Sequence, residues 1–257
     1  MRGFVFFLSL MLCLASHGQE DCFNPDLSGD GYIGSADLIT LLGYYDQVWP
    51  PDTSVTCAET VDHHNYSYAV QQVGEQCWFA ENCRYLPAVS PPDETAFGPI
   101  AYVLGYEGSD TAEAMATTNY LELGALYNWY SLEQWDLCPS GWHPASDEDW
   151  QILEATIGMP EIELDDTGPR GTTEGEELKD DVLWNGTNLH GMAIRPGGTR
   201  YTSGSFGSSE GILTHIWTST ASDDEPWHRV ATLYSDAFWR NNNVTESVGG
   251  AVRCVMD

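Results

Sequence analysis

Residues 26–37 read DLSGDGYIGSAD, with oxygen-bearing side chains at a spacing that wraps a hard cation. Counting Asp26 as position 1, Ser28 falls at position 3, Asp30 at position 5 and Asp37 at position 12. Gly31 stands at position 6, where such a loop turns sharply, and Tyr32 at position 7 offers its backbone carbonyl. This is the ligand order of an EF-hand-type loop, and the cofactor it implies is Ca²⁺, which gathers six or more oxygens. Leu38, Leu41, Leu42 and Tyr45 follow at i, i+3, i+4 and i+7, an amphipathic helix leaving the loop.

Other polar groups form no catalytic constellation with specific spacing. His63 and His64 follow Asp62, but neighbours on a strand point to opposite faces, so a solvated turn is the better expectation. His143, in SGWHPAS, reads as a structural hydrogen-bonding residue. His190, His215 and His228 are scattered among β-like runs without a GxSxG nucleophile motif. Asp165 with Asp166, and Asp223 with Asp224 and Glu225, lie in loop-like stretches and read as surface charge. A non-catalytic protein is expected.

The elements that would position these residues follow from composition. Residues 1–18 read as a secretory signal: Arg2, an apolar run from Val5 to Leu14 too short to span a bilayer, and small Ser16 and Gly18 before a cut at Gln19. No later stretch is long and apolar enough to span a membrane. Residues 19–49 hold the calcium loop and its helix. Residues 50–61 are a linker opened by Pro50 and Pro51, and residues 62–257 form one larger domain. The expected localisation is secreted or cell-surface. The formal charge is −30, and loss of Arg2 with the signal makes it −31 (−30 − 1). A surface of that sign repels phosphate backbones, which excludes nucleic acid as a partner, and it attracts divalent cations.

Within the larger domain, Leu123, Leu126, Tyr127 and Tyr130 keep helical spacing. Ser146 caps a second predicted helix with Asp147, Glu148 and Asp149 in its first turn and Trp150, Leu153 and Ile157 as its buried stripe; Gly158 and Pro160 end it. ILTHIWTST, HRVATLY and GGAVRCV are short β-rich runs. The fold class expected is α+β with a largely antiparallel sheet. Once Cys13 leaves with the signal, six cysteines remain (Cys22, Cys57, Cys77, Cys83, Cys138 and Cys254), which suggests three disulfides among 15 possible pairings. Cys22 and Cys57 flank the calcium loop, and a bridge between them would close it.

Two resemblances add to this. The run GDGYIGSADLITLLGYY resembles one repeat of a type I dockerin. Dockerins resemble two such repeats packed together and only one is present, so docking to a cohesin is not expected. The phrases QQVGEQCWFAENCRYL, GALYNWY, CPSGWHPASDEDWQILEATIG, ELKDDVLWNGTNLHGMAIRPGG, IWTST and GGAVRCV resemble, in order, the Fibrobacter succinogenes major paralogous domain over roughly 62–257. That family looks related to the C-type lectin-like fold, which implies two helices and a twisted antiparallel sheet with long loops. The resemblance also implies a Cys138–Cys254 bridge and leaves Cys77 and Cys83 to pair locally. Formylglycine-generating enzymes share a lectin-like fold but depend on reactive free cysteines, which full pairing would not leave here. By analogy with the fold, Trp184, Asn185, Trp227, Trp239, Asn241 and Asn242 are candidate sugar ligands: ring faces for stacking, amides for hydroxyls. EPW at 225–227 and WNG at 184–186 miss the EPN and WND signatures of true C-type lectins. The function implied is a calcium-binding protein of the cell surface or extracellular space that takes a polysaccharide or a surface protein. The alternatives are a structural surface component and an enzyme of polysaccharide degradation.

Overall fold

The computed structural model describes residues 12–16, 19–23 and 56–257, apart from 96, 208, 223 and 224. The chain divides into two compact units, residues 1–54 and 55–257. In the first, β1 (Leu12–Ser16) pairs antiparallel with β2 (Gln19–Phe23), Ser16 opposite Gln19. The calcium-loop residues Asp26, Ser28, Asp30, Tyr32 and Asp37 lie outside the described residues, as does the side chain of Cys22.

The second unit is mixed α and β, and the strand pairs of its sheets are antiparallel, as expected. Five strands make one sheet in the order β3 (Thr60–His63), β4 (Tyr66–Val73), β5 (Gln76–Phe79), β13 (Cys254–Met256), β8 (Trp142–Pro144). Four make another: β10 (Leu213–Ser222), β11 (Glu225–Thr232), β12 (Ser235–Asn241) and β9 (Gly168–Arg170). A short pair, β6 (Ala101–Tyr102) with β7 (Leu126–Tyr127), lies beside them. The segment 249–256 stitches these sheets together. Gly249 bridges Arg200, Gly250 bridges Tyr127 of β7, and Ala251 bridges Ile216 of β10 before the chain enters β13. A side chain does not fit at the segment's first position: a Cβ on Gly249 would sit 2.8 Å from Arg200 Cβ. Arg253 then fills the junction, donating to Asn82 Oδ1 at 2.9 Å and to the carbonyls of Phe79 (2.9 Å) and Met192 (2.8 Å).

Among the described residues, five α-helices lie between the strands: α1 (Thr111–Met115), α2 (Thr118–Leu123), α3 (Tyr130–Gln134), α4 (Asp147–Thr156) and α5 (Glu174–Leu178). Helix α4 is the one predicted from Ser146. The Ser146 hydroxyl accepts from Asp149 N while the Asp149 carboxylate accepts from Ser146 N, a complete capping box. Trp150 and Leu153 are fully buried on its inner side. The helix expected over Leu123–Tyr130 does not form. Gly124, at φ +78°, ends α2, and a Cβ there would lie 2.8 Å from Cys83 O. Leu126 and Tyr127 are therefore a strand, and helix resumes only at Tyr130.

A buried ionic network seats α4 on the four-stranded sheet. Glu154 accepts from Arg170 (2.8 Å) and Arg229 (2.6 Å), and Asp147 accepts from Arg229 (2.6 Å) and Arg240 (2.7 Å). Strand register explains the convergence, since Arg229 and Arg240 are directly opposed across β11 and β12 and share one face. Burial alone would raise the Asp147 carboxyl, but the guanidinium groups of Arg240 and Arg229 outweigh it and hold it below the usual carboxylate range.

Disulfides join Cys57 to Cys77 and Cys138 to Cys254. The second is the bridge the family resemblance implied. The first corrects two expectations: Cys77 does not pair with Cys83, and Cys57 is not left for Cys22. Cys77 and Cys83 diverge because Cys77 lies in β5, paired opposite Gln72, whereas Cys83 has passed the end of that strand into the core. Cys83 is a buried free thiol.

Candidate functional site

The turn joining β3 to β4 is built by His64 and Asn65, both left-handed at φ +47° and +61°. Two positive-φ residues between antiparallel strands are the geometry of a tight primed hairpin turn, and Asn tolerates it well. Just beyond it, Tyr66 and Tyr68 alternate onto one face of β4. With Arg84, Tyr85, Leu86, Met115, Tyr120 and Leu121 they line a groove of about 470 Å³. Met115 and Leu121, at the ends of α1 and the middle of α2, leave much of their side chains exposed along its edge.

The polar ends of these side chains are engaged with one another. Tyr66 OH donates to Glu81 Oε2 at 2.7 Å, and Arg84 Nε donates to the same oxygen at 2.9 Å. Arg84 Nη1 donates to Tyr120 O at 2.7 Å, Tyr120 OH donates to Arg84 O at 2.7 Å, and Arg84 N donates to Tyr68 OH at 2.9 Å. The Arg84 guanidinium also sits 4.8 Å above the Tyr66 ring centroid. Tyr68 and Tyr120 are buried, with Tyr68 stacked on Phe79, and Arg84 covers one face of Tyr66 while His64 covers one face of Tyr85. Burial, then the hydrogen bond to Glu81, raises the Tyr66 phenol, and burial does the same more strongly at Tyr68, so neither supplies a phenolate near neutral pH. Behind the groove, burial likewise raises the Cys83 thiol, whose sulfur lies 3.2 Å from Leu137 O. A thiol held protonated in an apolar core is a poor nucleophile. The arrangement offers a ligand the uncovered parts of the Tyr66 and Tyr85 rings and the exposed Met115 and Leu121 side chains.

The residues expected to hold sugar do not share one surface. Asn185 donates to Leu233 O at 3.0 Å, and Lys179, 5.5 Å above the Trp184 ring, donates to Thr232 O and Ser235 O. These two therefore stand at the β11–β12 turn. Trp227 and Asn241 stand at the other end of that hairpin, where Asn241 opposes His228, and Asn242 follows immediately. Six residues of strand separate Asn241 from the turn, about 20 Å at the usual rise per residue. The guanidinium of Arg240 covers the Trp227 ring at 3.6 Å, and the Trp239 indole N–H, between the two ends, is buried with no partner. The more tyrosine-rich groove went unread in the sequence, where its one local signal is Tyr66-x-Tyr68 after a turn-forming His-Asn.

His63 and His64 lie at an exposed hairpin turn, as expected. Their rings do not point apart, because His64 has left the extended strand for the turn, and both rings reach Asp136. His143 is structural, as expected: Nδ1 meets Asp257 at 2.6 Å and Nε2 meets Asp149 at 3.0 Å. A second hollow, of about 460 Å³, is lined by Gln71, Gln72, Asn188 and His190 and has no aromatic wall.

The family described as the Fibrobacter succinogenes major domain matches residues 72–256. The chain belongs to this family. No curated protein and no solved structure matches the chain. The matched stretch of the major domain contains Arg84, Tyr85, Tyr120 and Leu121 of the groove, whereas the hairpin tip with His63, His64, Tyr66 and Tyr68 precedes it.

Proposed function

We propose that this member of the Fibrobacter succinogenes major domain family is an exported, non-catalytic binding protein whose tyrosine-lined groove takes a neutral polysaccharide. The observation that carries the reading is the groove wall itself, where Tyr66, with Arg84 over one face, and Tyr85, with His64 on one face, stand beside exposed Met115 and Leu121. Sugar rings present C–H faces that pack on aromatic planes, and their hydroxyls find the Asn65 amide at the rim. A net charge of −30 disfavours anionic polymers and leaves neutral ones. The finer fold assignment, a C-type lectin-like domain, is part of the proposal. It draws on the paired antiparallel sheets and on the largely irregular run between α5 and β10.

The N-terminal unit is, in this reading, a single dockerin-like repeat in which Asp26, Ser28, Asp30, the Tyr32 carbonyl and Asp37 hold one Ca²⁺. It serves as a calcium-stabilised spacer or attachment unit, and the signal at residues 1–18 would place the protein outside the cytoplasm. A glycan array of neutral and anionic polysaccharides, probed with the full mature chain in calcium, tests the binding claim. Retention of neutral glycans by the wild type and its loss in Tyr66→Ala is expected. Wild-type retention of anionic glycans only, or of none, would refute it.

A further inference from the structure

We infer that His63, His64 and Asp136 form a binding site for a divalent transition-metal ion of the Zn²⁺ class. Among the described residues, this is the one place where three such ligand atoms converge, all within 4.8 Å of one another. The Asp136 carboxylate Oδ2 lies 3.3 Å from His64 Nε2, and the Asp136 backbone carbonyl lies 2.7 Å from His63 Nε2 and 3.0 Å from His64 Nε2. Two imidazole nitrogens and a carboxylate oxygen suit Zn²⁺, with bonds of about 2.0–2.1 Å that place tetrahedral ligands about 3.3 Å apart. Calcium, which prefers an all-oxygen shell, is not matched by this donor set.

The surroundings hold the ligands ready. The left-handed backbone of His64 turns its ring to the side of His63, and the two ring centroids are 4.0 Å apart. The His64 ring stacks on Tyr85 at 3.7 Å and 13°, and Tyr85 meets Trp135, the neighbour of Asp136, edge-on at 6.4 Å. One aromatic chain thus links the hairpin tip to the loop carrying the carboxylate, which comes from 72 residues further along the sequence. Asp136 and His64 are exposed, so an ion can enter, and a fourth coordination position is left for water or a ligand oxygen. Because His64 also lines the groove, the bound ion would pin the groove's hairpin wall. His63 and His64 precede the residues matched by the family, whereas Asp136 lies within them.

The test uses the full chain, stripped with chelator and then saturated with Ca²⁺ so that the oxygen-ligand loop is filled. Zn²⁺ is titrated calorimetrically, and Co²⁺ is titrated in parallel for its visible absorption. One Zn²⁺ that excess Ca²⁺ does not displace is expected, with affinity reduced at least about tenfold in His63→Ala and in Asp136→Asn. His64→Asn is the third variant because Asn accepts the left-handed backbone, keeping the turn intact while removing the imidazole. Unchanged melting temperature in His64→Asn together with lost Zn²⁺ binding supports the site. Absence of Zn²⁺ binding in the wild type, or wild-type affinity in all three variants, overturns it. Glycan retention by the metal-free protein is scored separately, so failure of the metal site and failure of the groove are distinguishable.

Discussion

His215 and His228 stack face to face at 5.0 Å across β10 and β11, and the Nδ1 atoms of both are buried without a partner. Burial, reinforced by the neighbouring His228, pushes His215 down to about 3, and burial pushes His228 down to about 4. Both folded values lie below the ordinary histidine value of 6.5, so above that pH the pair is neutral whether folded or not. As pH falls from there toward 4, the unfolded chain gains protons that the native chain refuses. Stability then drops by up to about 1.4 kcal/mol per pH unit for each histidine. His143 behaves oppositely: burial lowers it, but its hydrogen bonds to Asp257 and Asp149 prevail and raise it. An NMR titration should find His143 titrating above 6.5 while His215 and His228 stay neutral down to pH 5. His228→Gln should flatten the acid limb of urea unfolding between pH 6.5 and 4.5, and an unchanged limb would contradict this. At this scale the sequence was legible only in part. His143 announced its structural role by its phrase, but nothing local shows that His63 and His64 converge, since that depends on a left-handed turn. The free state of Cys83 was hidden for a similar reason: pairing is decided by which strand end each cysteine occupies, not by a six-residue spacing.

Helix α4 was the most legible element, because its signals are local. Ser146 at the cap, three acids in the first turn and the Trp150–Leu153 stripe each act within a turn or two of sequence. The arginines it needs are far away in sequence, at Arg170, Arg229 and Arg240, and only strand register gathers them. Glu154 is fully buried between two guanidinium groups. Replacing one member of a buried ion pair leaves its partner uncompensated, so Glu154→Gln should lose about 3–5 kcal/mol in chemical denaturation. A loss below about 1 kcal/mol would show that the network contributes little beyond what a neutral hydrogen bond supplies. The helix expected over Leu123–Tyr130 failed for a reason the sequence did contain. Gly124 interrupts the periodicity, and the close approach of Cys83 O makes it a chain reversal rather than a tolerated helical glycine.

For the molecule as a whole, the mixed α and β class was readable, while the order of elements, which opens on strands rather than two helices, and the way the sheets join were not. GGAVRCV reads locally as one strand, yet its residues bridge three partners in turn before β13 begins. The Cys138–Cys254 bridge locks that segment and spans 116 residues, so opening it should release a large loop in the unfolded chain. On the chain-entropy account, Cys138→Ala with Cys254→Ala should cost about 4–5 kcal/mol, read as a lower melting temperature, and a fall equal to that from opening the 20-residue Cys57–Cys77 loop would argue against it. The candidate groove was illegible because its wall is assembled from β4, the segment after β5, and α1 and α2, which no window of sequence shows together. The most direct test of the account is to titrate the intact protein with a neutral oligosaccharide that the array retains, following the ring resonances of labelled tyrosine and tryptophan. Shifts concentrated at Tyr66 and Tyr85, saturating together, are the expected result. Shifts confined to Trp184, Trp227 or Trp239, with the groove tyrosines unmoved, would contradict it and return the ligand to the β11–β12 hairpin.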